Sequence, residues 1–109
     1  KMFTYNLYVR YALPELETDS DLYPCVVPNW DNTPRSARNG VVLINSTPEA
    51  YRQHLRRAIA QVNNRRPEER LIFIKSWNEW AEGNYLEPDL RFHDQYLQVT
   101  REEVLQSGP

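Results

Sequence analysis

The chain has 109 residues, of which 40% are hydrophobic, so its length and composition suit one domain or part of a larger one. Its formal net charge of −2 excludes a strong positive field that would draw it to nucleic acid, and we predict no nucleic acid partner. No apolar stretch approaches the roughly 18 residues that cross a bilayer, which predicts no membrane insertion, and the lone Cys25 excludes an internal disulfide.

The first half of the chain predicts a helix, a loop, a strand and a second loop. Residues 4–13 place apolar side chains at helical spacing and stop at Pro14, which predicts a short helix. Those side chains are Tyr5, Tyr8, Val9 and Ala12. Residues 14–21 are acidic and rich in turn formers, so we expect a solvated loop. Residues 22–30 are apolar and bounded by prolines, as in a strand covered on both faces, and residues 31–40 form an elaborate loop.

A long amphipathic helix is predicted after a minor strand at residues 41–45. Ser46 or Thr47 can cap its first turn, and Pro48 suits that turn because it needs no N–H there. The helix continues to about residue 63 with one apolar face. That face consists of Tyr51, Leu55, Ile59 and Val62.

The last third of the chain predicts a strand and a final helix. Residues 71–77 are the strongest strand candidate because bulky apolar residues run consecutively there. Residues 92–105 form an amphipathic helix whose predicted inward face consists of Tyr96, Leu97, Thr100 and Val104. Helices and strands therefore alternate, as in the β/α units of a parallel sheet, and the predicted fold class is α/β.

Chemically rich loops follow both predicted strands, at residues 30–40 and 77–87. In parallel sheets the loops at the carboxyl ends of the strands converge on one face, and ligands gather there. The connections before residues 22 and 71 are plain solvated segments. This asymmetry predicts a functional site formed by the two rich loops.

The stretch IKSWNEWAEGNYLEP, residues 74–88, carries the candidate chemistry. Its Glu79 and Glu82 suit glycosidic chemistry, in which one carboxyl protonates the leaving oxygen while the other, ionised, serves as base or nucleophile. Trp77 and Trp80 suit a sugar site because indole rings stack on the apolar faces of sugars and partly exclude water. The residue types leave a second interpretation open, in which both glutamates are exposed or cap a turn while both indoles fill the core.

Three polar or aromatic residues of the first rich loop also allow two interpretations each. Trp30 is a core-edge ring or a sugar platform, and Asp31 contacts a sugar or only starts an Asx turn. Arg35 binds an anionic group of the substrate or forms a salt bridge within the loop. No histidine or cysteine cluster has metal-ligand spacing, and no Gly-rich phosphate loop precedes a helix, so we predict no metal and no cofactor.

Three stretches together resemble the C-terminal part of the WbsX-type proteins, a family of polysaccharide and lipopolysaccharide biosynthesis that is also called glycoside hydrolase family 99-like. They read PCVVPNWDNTPR, NGVVLINSTPEAYRQHLRRAI and RLIFIKSWNEWAEGNYLEPD. More distantly the chain is similar to the endo-α-mannosidases of family 99. The resemblance covers about residues 4–98 here, which correspond to the last third or so of a family member.

The resemblance implies a fold and a set of residue roles. The implied fold is a (β/α)8 TIM-type barrel, incomplete in this chain, with residues 22–30 as its seventh strand and 71–77 as its eighth. In the endo-α-mannosidases the corresponding glutamates are catalytic, which implies that Glu79 deprotonates the sugar's 2-hydroxyl and that Glu82 acts as general acid and then base. The implied substrate-binding residues, which join the stacking indoles Trp77 and Trp80, are Trp30, Asp31, Arg35, Asn78 and Glu87.

Three functional hypotheses follow from these patterns. The first is a glycoside hydrolase-type enzyme with a carbohydrate substrate, the second is a glycosyltransferase of surface-polysaccharide assembly, and the third is a non-catalytic sugar-binding or structural domain. A complete barrel takes about 250 residues, so we expect residues 1–109 to be a single segment of a longer chain, as Lys1 in place of an initiator methionine also suggests. Its free strand edges are then expected to pair with another copy, as a homodimer or by strand exchange.

Overall fold

The computed structural model describes residues 1–13 and 21–106. The helices within them are α1 Tyr5–Ala12, α2 Thr33–Ser36, α3 Pro48–Val62 and α4 Gln95–Gln106. The strands are β1 Met2–Thr4, β2 Cys25–Val26, β3 Val42–Ile44, β4 Phe73–Ile74, β5 Asn78–Glu79 and β6 Asn84–Tyr85. Single 3-10 turns lie at Ala37–Asn39, Pro67–Glu69 and Trp80–Glu82. The predicted acidic loop falls, apart from Asp21, outside the described residues.

The first helix is confirmed, but a strand that the sequence pattern does not indicate precedes it. The hydroxyl of Thr4, the last residue of β1, accepts a hydrogen bond from the backbone N–H of Leu7 at 3.2 Å and caps α1. Tyr5 and Val9 are buried on the inner face of α1 and pack with Leu43 of β3. The strand and the helix therefore lie against the same small core.

The described residues form two separate pairs of parallel strands. β1 pairs with β3, with Phe3 opposite Leu43, and β2 pairs with β4, with Val26 opposite Ile74. The chain travels from β2 to β4 through α3, which is the type of crossover that a parallel pair requires. β2 and β4 therefore form the β/α/β unit predicted for residues 22–30 and 71–77.

Both predicted strands are much shorter than the apolar runs that indicated them. Pro24 and Pro28 bracket β2 and cannot donate to a ladder, so pairing with β4 is confined to a few residues. The flanking bonds are Phe73 N–H to the Pro24 carbonyl at 3.0 Å and Lys75 N–H to the Val26 carbonyl at 2.9 Å. Beyond Lys75 the chain leaves the sheet through a cis peptide bond to Ser76.

The predicted long helix is confirmed as α3, which supplies the centre of the core. Thr47 is its N-cap, and its hydroxyl accepts from the N–H of Ala50 at 3.1 Å. Of the predicted apolar face, Ile59 is half-buried and the other members are fully buried; these are Tyr51, Leu55 and Val62. The main hydrophobic cluster around α3 consists of Leu13, Val26, Tyr51, Leu55, Ala58, Leu86, Tyr96 and Val99.

The inward face predicted for the last helix is partly wrong. α4 begins at Gln95 rather than near residue 92, and Val104 is 48% exposed. Its inner stripe instead consists of Tyr96, Val99 and Glu103. Glu103 turns inward because two guanidinium groups of α3 bind it, with Arg52 Nη1 at 2.7 Å and Arg56 Nε at 2.9 Å. A pattern search that accepts only apolar residues misses a helix face closed by ion pairs.

The prediction that residues 22–30 form a strand covered on both faces is also wrong. Val26 is fully buried, whereas its neighbour Cys25 is exposed and Phe73 on β4 is 58% exposed. Phe3 on β1 is likewise 43% exposed. In the described part of the chain each sheet has only two strands, so side chains that point away from the helices contact only a few neighbours, such as the ring of Tyr23 at 6.4 Å from that of Phe73. No helix there has the length and apolar character needed to cross a membrane.

A buried histidine of α3 faces α1. His54 is fully buried, and its Nδ1 lies 3.1 Å from the hydroxyl of Tyr5. Because that hydroxyl donates to the Val27 carbonyl at 2.6 Å, its oxygen accepts from His54, which assigns the proton to Nδ1. The other ring nitrogen, Nε2, is buried and has no hydrogen-bond partner among the described residues. Burial, aided by the charge of Arg57, lowers the pKa of His54 to about 4.

We expect this histidine to make the fold sensitive to acid. His54 titrates near 6.5 in the unfolded chain and near 4 in the folded one, so the folded state keeps it neutral. Its contribution is complete above pH 6.5 and is lost as the pH falls from 6.5 through 4, by about 3 kcal/mol in all. Glu103, whose pKa the hydrogen bonds from Arg56 and Arg52 lower, adds a further loss only below about pH 4.3.

The free energy of unfolding, measured with urea at several pH values between 7.5 and 4.5, tests this expectation. His54→Asn should flatten the pH slope even though it lowers the absolute stability. His93→Asn is the matched control, because His93 is exposed and has a φ of 54°, which asparagine tolerates. An unchanged slope in His54→Asn would contradict the assignment.

Candidate functional site

The two rich loops meet, as the strand-end argument predicts. The backbone N–H of Asp31 in the first loop donates to the carbonyl of Glu82 in the second at 2.9 Å. Gly83 follows with a φ of 56°, and a Cβ there would lie only 2.4 Å from the carbonyl oxygen of Asp31. Only glycine suits both this positive φ and the close approach of the Asp31 main chain. The contact fixes the second loop against the first at the carboxyl end of β2 and β4.

The side chains of two asparagines form hydrogen bonds between the loops beside this contact. Asn84 is fully buried, and its side-chain amide donates to the carbonyl of Asn29 at 2.6 Å. The Oδ1 of Asn29 in turn accepts from the N–H of Tyr85 at 2.9 Å. Ser76 adds a hydroxyl bond to the Asn84 carbonyl at 2.7 Å. Sequence reasoning missed both asparagines, because an amide that bonds to a distant main chain has no local pattern.

Glu82 lies at the junction between two cations. Lys75 Nζ is 3.3 Å from its Oε2, and Arg35 Nη1 is 4.0 Å from its Oε1. The side chain of Glu82 is 25% exposed, so the pair with Lys75 is partly shielded from water. Lys75 Nζ also lies 5.6 Å from the centroid of the Trp30 ring. The structure thus brings together Trp30, Arg35 and Glu82, and adds Lys75, which the sequence analysis missed.

Glu79 lies on the neighbouring hairpin and is more open. β5 and β6 pair antiparallel, with Glu79 opposite Asn84, and Ser76 Oγ accepts from the Glu79 N–H at 3.2 Å. The side chains of Glu79 and its neighbour Asn78 are exposed. Trp77, one residue earlier, is 54% exposed. Its carbonyl accepts from the N–H groups of Leu86 and Glu87, which closes the hairpin.

Neither indole of the motif belongs to the core. Trp80 is 49% exposed, and with Trp77 also half-exposed, the interpretation in which both rings fill the core is wrong. The rings do not enclose a dry hollow either. Trp80 stacks on Tyr85, with ring centroids 3.7 Å apart and an angle of 18° between the planes. Its Nε1–H donates to Glu87 at 3.1 Å, so Glu87 orients the indole.

Asp31 and Tyr85 each have a structural bond in this region. The Oδ1 of Asp31 accepts from the N–H of Thr33 at 2.9 Å, which is the Asx turn that the sequence left open. The hydroxyl of Tyr85 donates to Asp89 at 2.9 Å. Burial, together with this hydrogen bond to Asp89, raises the pKa of Tyr85 to about 12, so the hydroxyl stays protonated at neutral pH.

A cleft of about 540 Å³, here called the Trp30 cleft, opens beside the loop junction. Three predicted substrate-binding residues line it together with others, namely Trp30, Asp31 and Trp80 alongside Asn29, Gly83, Tyr85 and Tyr96. Among the described residues that line it, neither Glu79 nor Glu82 appears. Its volume is typical of a small-molecule site. Across residues 1–13 and 21–106, no group of His, Cys, Asp or Glu side chains is placed to hold a metal ion.

Comparisons with known proteins give the family. The model of the family described as Glycosyltransferase WbsX matches residues 1–100. The chain is 41% identical over 87 residues to proteins named uncharacterized protein WxcX from two strains of Xanthomonas campestris pv. campestris. The match covers 79% of this chain and 12% of each relative, so the chain spans a small part of their length. No solved structure matches. The chain therefore belongs to the WbsX glycosyltransferase family, as its motifs predict, and is a carbohydrate-related protein.

Proposed function

We propose that the chain carries part of the active site of a carbohydrate-active enzyme of the glycoside hydrolase type, which acts on glycosidic bonds of a polysaccharide through Glu79 and Glu82. One observation carries the proposal. Two loops from the carboxyl ends of parallel strands dock so that Glu82 is held between Lys75 and Arg35. Such strand ends are where catalytic groups of parallel β/α proteins gather. Membership of the family supports a sugar substrate.

The proposed chemistry needs two carboxyl groups with different tasks. One protonates the leaving glycosidic oxygen, and the other, ionised, assists attack at the anomeric carbon. By the family resemblance Glu79 assists attack by the sugar's 2-hydroxyl and Glu82 transfers the proton. The ion pairs with Lys75 and Arg35 restrict the rotamers of Glu82 and direct its carboxyl group toward the first loop. Trp30, whose ring centroid lies 5.6 Å from the Nζ of Lys75, offers a ring on which a sugar can stack.

We further propose that residues 1–109 supply the last β/α units of a (β/α)8 barrel. The parallel pairing of β2 with β4 around α3 supports this, since it is the repeating unit of such a barrel. The exposed apolar side chains of Phe3 and Phe73 also support it, because further strands would cover them. In isolation these strand edges would pair with a second copy, as a homodimer or by strand exchange.

A glycosyltransferase is the second candidate, and the description of the matching family favours it. Such an enzyme would consume a nucleotide-linked or lipid-linked sugar and extend a surface polysaccharide. Both reactions place a carboxylate near the anomeric carbon, so the site geometry is compatible with either. A non-catalytic sugar-binding domain is a further alternative.

Product analysis of the native protein separates these functions. With polysaccharide alone, we expect new reducing ends, because hydrolysis frees an anomeric carbon at every cut. The double variant Glu79→Gln/Glu82→Gln should lower this release by about 10²–10⁴-fold while still binding the polysaccharide. Release of reducing ends at the native rate by the double variant would overturn the proposal. Consumption of a sugar donor with growth of the glycan would favour the transferase, and binding without either reaction would favour the non-catalytic domain.

A further inference from the structure

A second cleft adjoins the Trp30 cleft and is not part of the glutamate site. It is a shallow, open depression of about 730 Å³ and is here called the Leu90 cleft. Its lining includes Trp80, Tyr85, Asp89, Leu90, Arg91 and His93. Of the residues that the structure describes, four line both clefts, namely Trp80, Tyr85, Asp89 and Arg91. The two spaces therefore share one wall.

That wall is a fixed aromatic pair. Trp80 and Tyr85 stack at 3.7 Å, so each ring covers one face of the other and keeps one outer face. A carboxylate holds each ring in place, Glu87 through the indole N–H at 3.1 Å and Asp89 through the tyrosine hydroxyl at 2.9 Å. A pair held in this way loses little side-chain entropy when a ligand stacks on it. The wall thus presents preorganised rings to both clefts.

The charges of the Leu90 cleft indicate which ligand it suits. Among the described residues that line it, Arg91 supplies a guanidinium and Asp89 and Asp94 supply carboxylates, so these residues offer no surplus of positive charge to a phosphate or a carboxylate. Asp89 is already occupied, because its two oxygens accept from the Tyr85 hydroxyl and from the Phe92 N–H. Leu90 is 97% exposed at the rim and adds an apolar surface. Aromatic rings, an apolar rim and a few polar groups without net positive charge match a neutral sugar.

We infer that the Leu90 cleft is a second sugar subsite, and that the ligand of this protein is a glycan of at least two neutral residues that crosses the wall formed by Trp80 and Tyr85. The inference rests on the proposed function, in which the Trp30 cleft receives a sugar. It adds that recognition depends on chain length. A single sugar reaches one face of the wall, whereas a longer glycan contacts both.

Titration with neutral hexose oligosaccharides of one to six residues, followed by the NMR signal of the Trp80 indole N–H, tests this. We expect the affinity to rise about tenfold or more between the monosaccharide and the tetrasaccharide, because a second stacking contact is added. Leu90→Asp should abolish that rise and leave monosaccharide binding unchanged. Because Leu90 is exposed, the variant should fold as the native protein does. Leu105→Asp is the matched control, since Leu105 on α4 is also an exposed leucine, at 69%.

The outcomes distinguish this inference from the function on which it rests. Equal affinity for short and long glycans, or a length dependence that survives Leu90→Asp, would overturn the second subsite and leave the Trp30 cleft intact. Stronger binding of a phosphorylated sugar than of its neutral form would overturn the assignment to neutral residues. Binding of no oligosaccharide at all would overturn both proposals. Weaker binding of every oligosaccharide in Trp30→Ala, together with the expected length dependence in the native protein, would support both.

Discussion

Replacing Glu82 with glutamine is expected to lower the turnover of the native protein by about 10²–10⁴-fold, because the amide cannot transfer the proton that glycosidic cleavage needs. Glutamine has nearly the same shape, and its side-chain oxygen can still accept from Lys75, which lies 3.3 Å away. The loop junction should therefore survive the change. A loss of kcat with little change in KM would identify a group that acts in the transition state.

Glu79→Gln should cause a loss of similar size if the two carboxyl groups act together, and the double variant should then lose little more than either single one. Glu68→Gln is the matched control. Glu68 lies in the 3-10 turn before β4, at the opposite end of the strand from the candidate site. Initial rates of reducing-end release, measured for the native protein and all four variants, give the comparison. Native turnover in both single variants would remove the paired-glutamate mechanism.

Gly83→Ala is expected to destabilise the fold by more than about 2 kcal/mol, since two penalties act at one position. The φ of 56° is unfavourable for an L side chain, and the new Cβ would lie 2.4 Å from the carbonyl oxygen and 2.7 Å from the nitrogen of Asp31. Main-chain atoms cannot move aside as a flexible side chain would. The loops must separate, so turnover should fall together with stability even though no catalytic group is altered.

Urea unfolding and kinetic measurements on the same samples test this prediction. Gly83→Asn separates the two penalties, because asparagine tolerates a positive φ but brings the same Cβ toward Asp31. Gly40→Ala is the matched control at an ordinary φ of −70° with nearest contacts of 3.0 Å, and it should cost less. Stability of Gly83→Ala within about 0.5 kcal/mol of the native value would show that the loops are not docked in this way.

The helices were predictable because their signals are local. Thr47 caps α3 as its position before Pro48 predicts, and the apolar spacing of Tyr51 and Leu55 identifies the buried face. The strands were less predictable, because β1, β5 and β6 were not predicted and β2 and β4 were predicted only in position. Their lengths depend on partners elsewhere in the chain, and prolines limit the ladder of β2 to two residues.

Contacts between distant residues explain what the sequence analysis missed. Lys75 ends an apolar run and gives no sign that its ammonium group reaches Glu82. His54 lies in a polar part of its helix, yet the packing of Tyr5 buries it completely. Glu103 is as polar as its exposed neighbours and is buried only because α3 presents two arginines. In contrast, the meeting of the two loops was predictable, since it follows from the direction of parallel strands.

The hydrogen bond from the Asp31 N–H to the Glu82 carbonyl uses no side-chain atom. Every amino acid except proline supplies the same donor at position 31, so exchanging that residue keeps the bond to the opposite loop wherever the Asx turn made by its side chain is also kept. Side chains that face the sugar can therefore change by point mutation while this main-chain hydrogen bond between the two loops is kept. Insertions or deletions in either loop are a different matter, because they would take the donor out of register. We expect homologues to diversify here by substitution while conserving loop length.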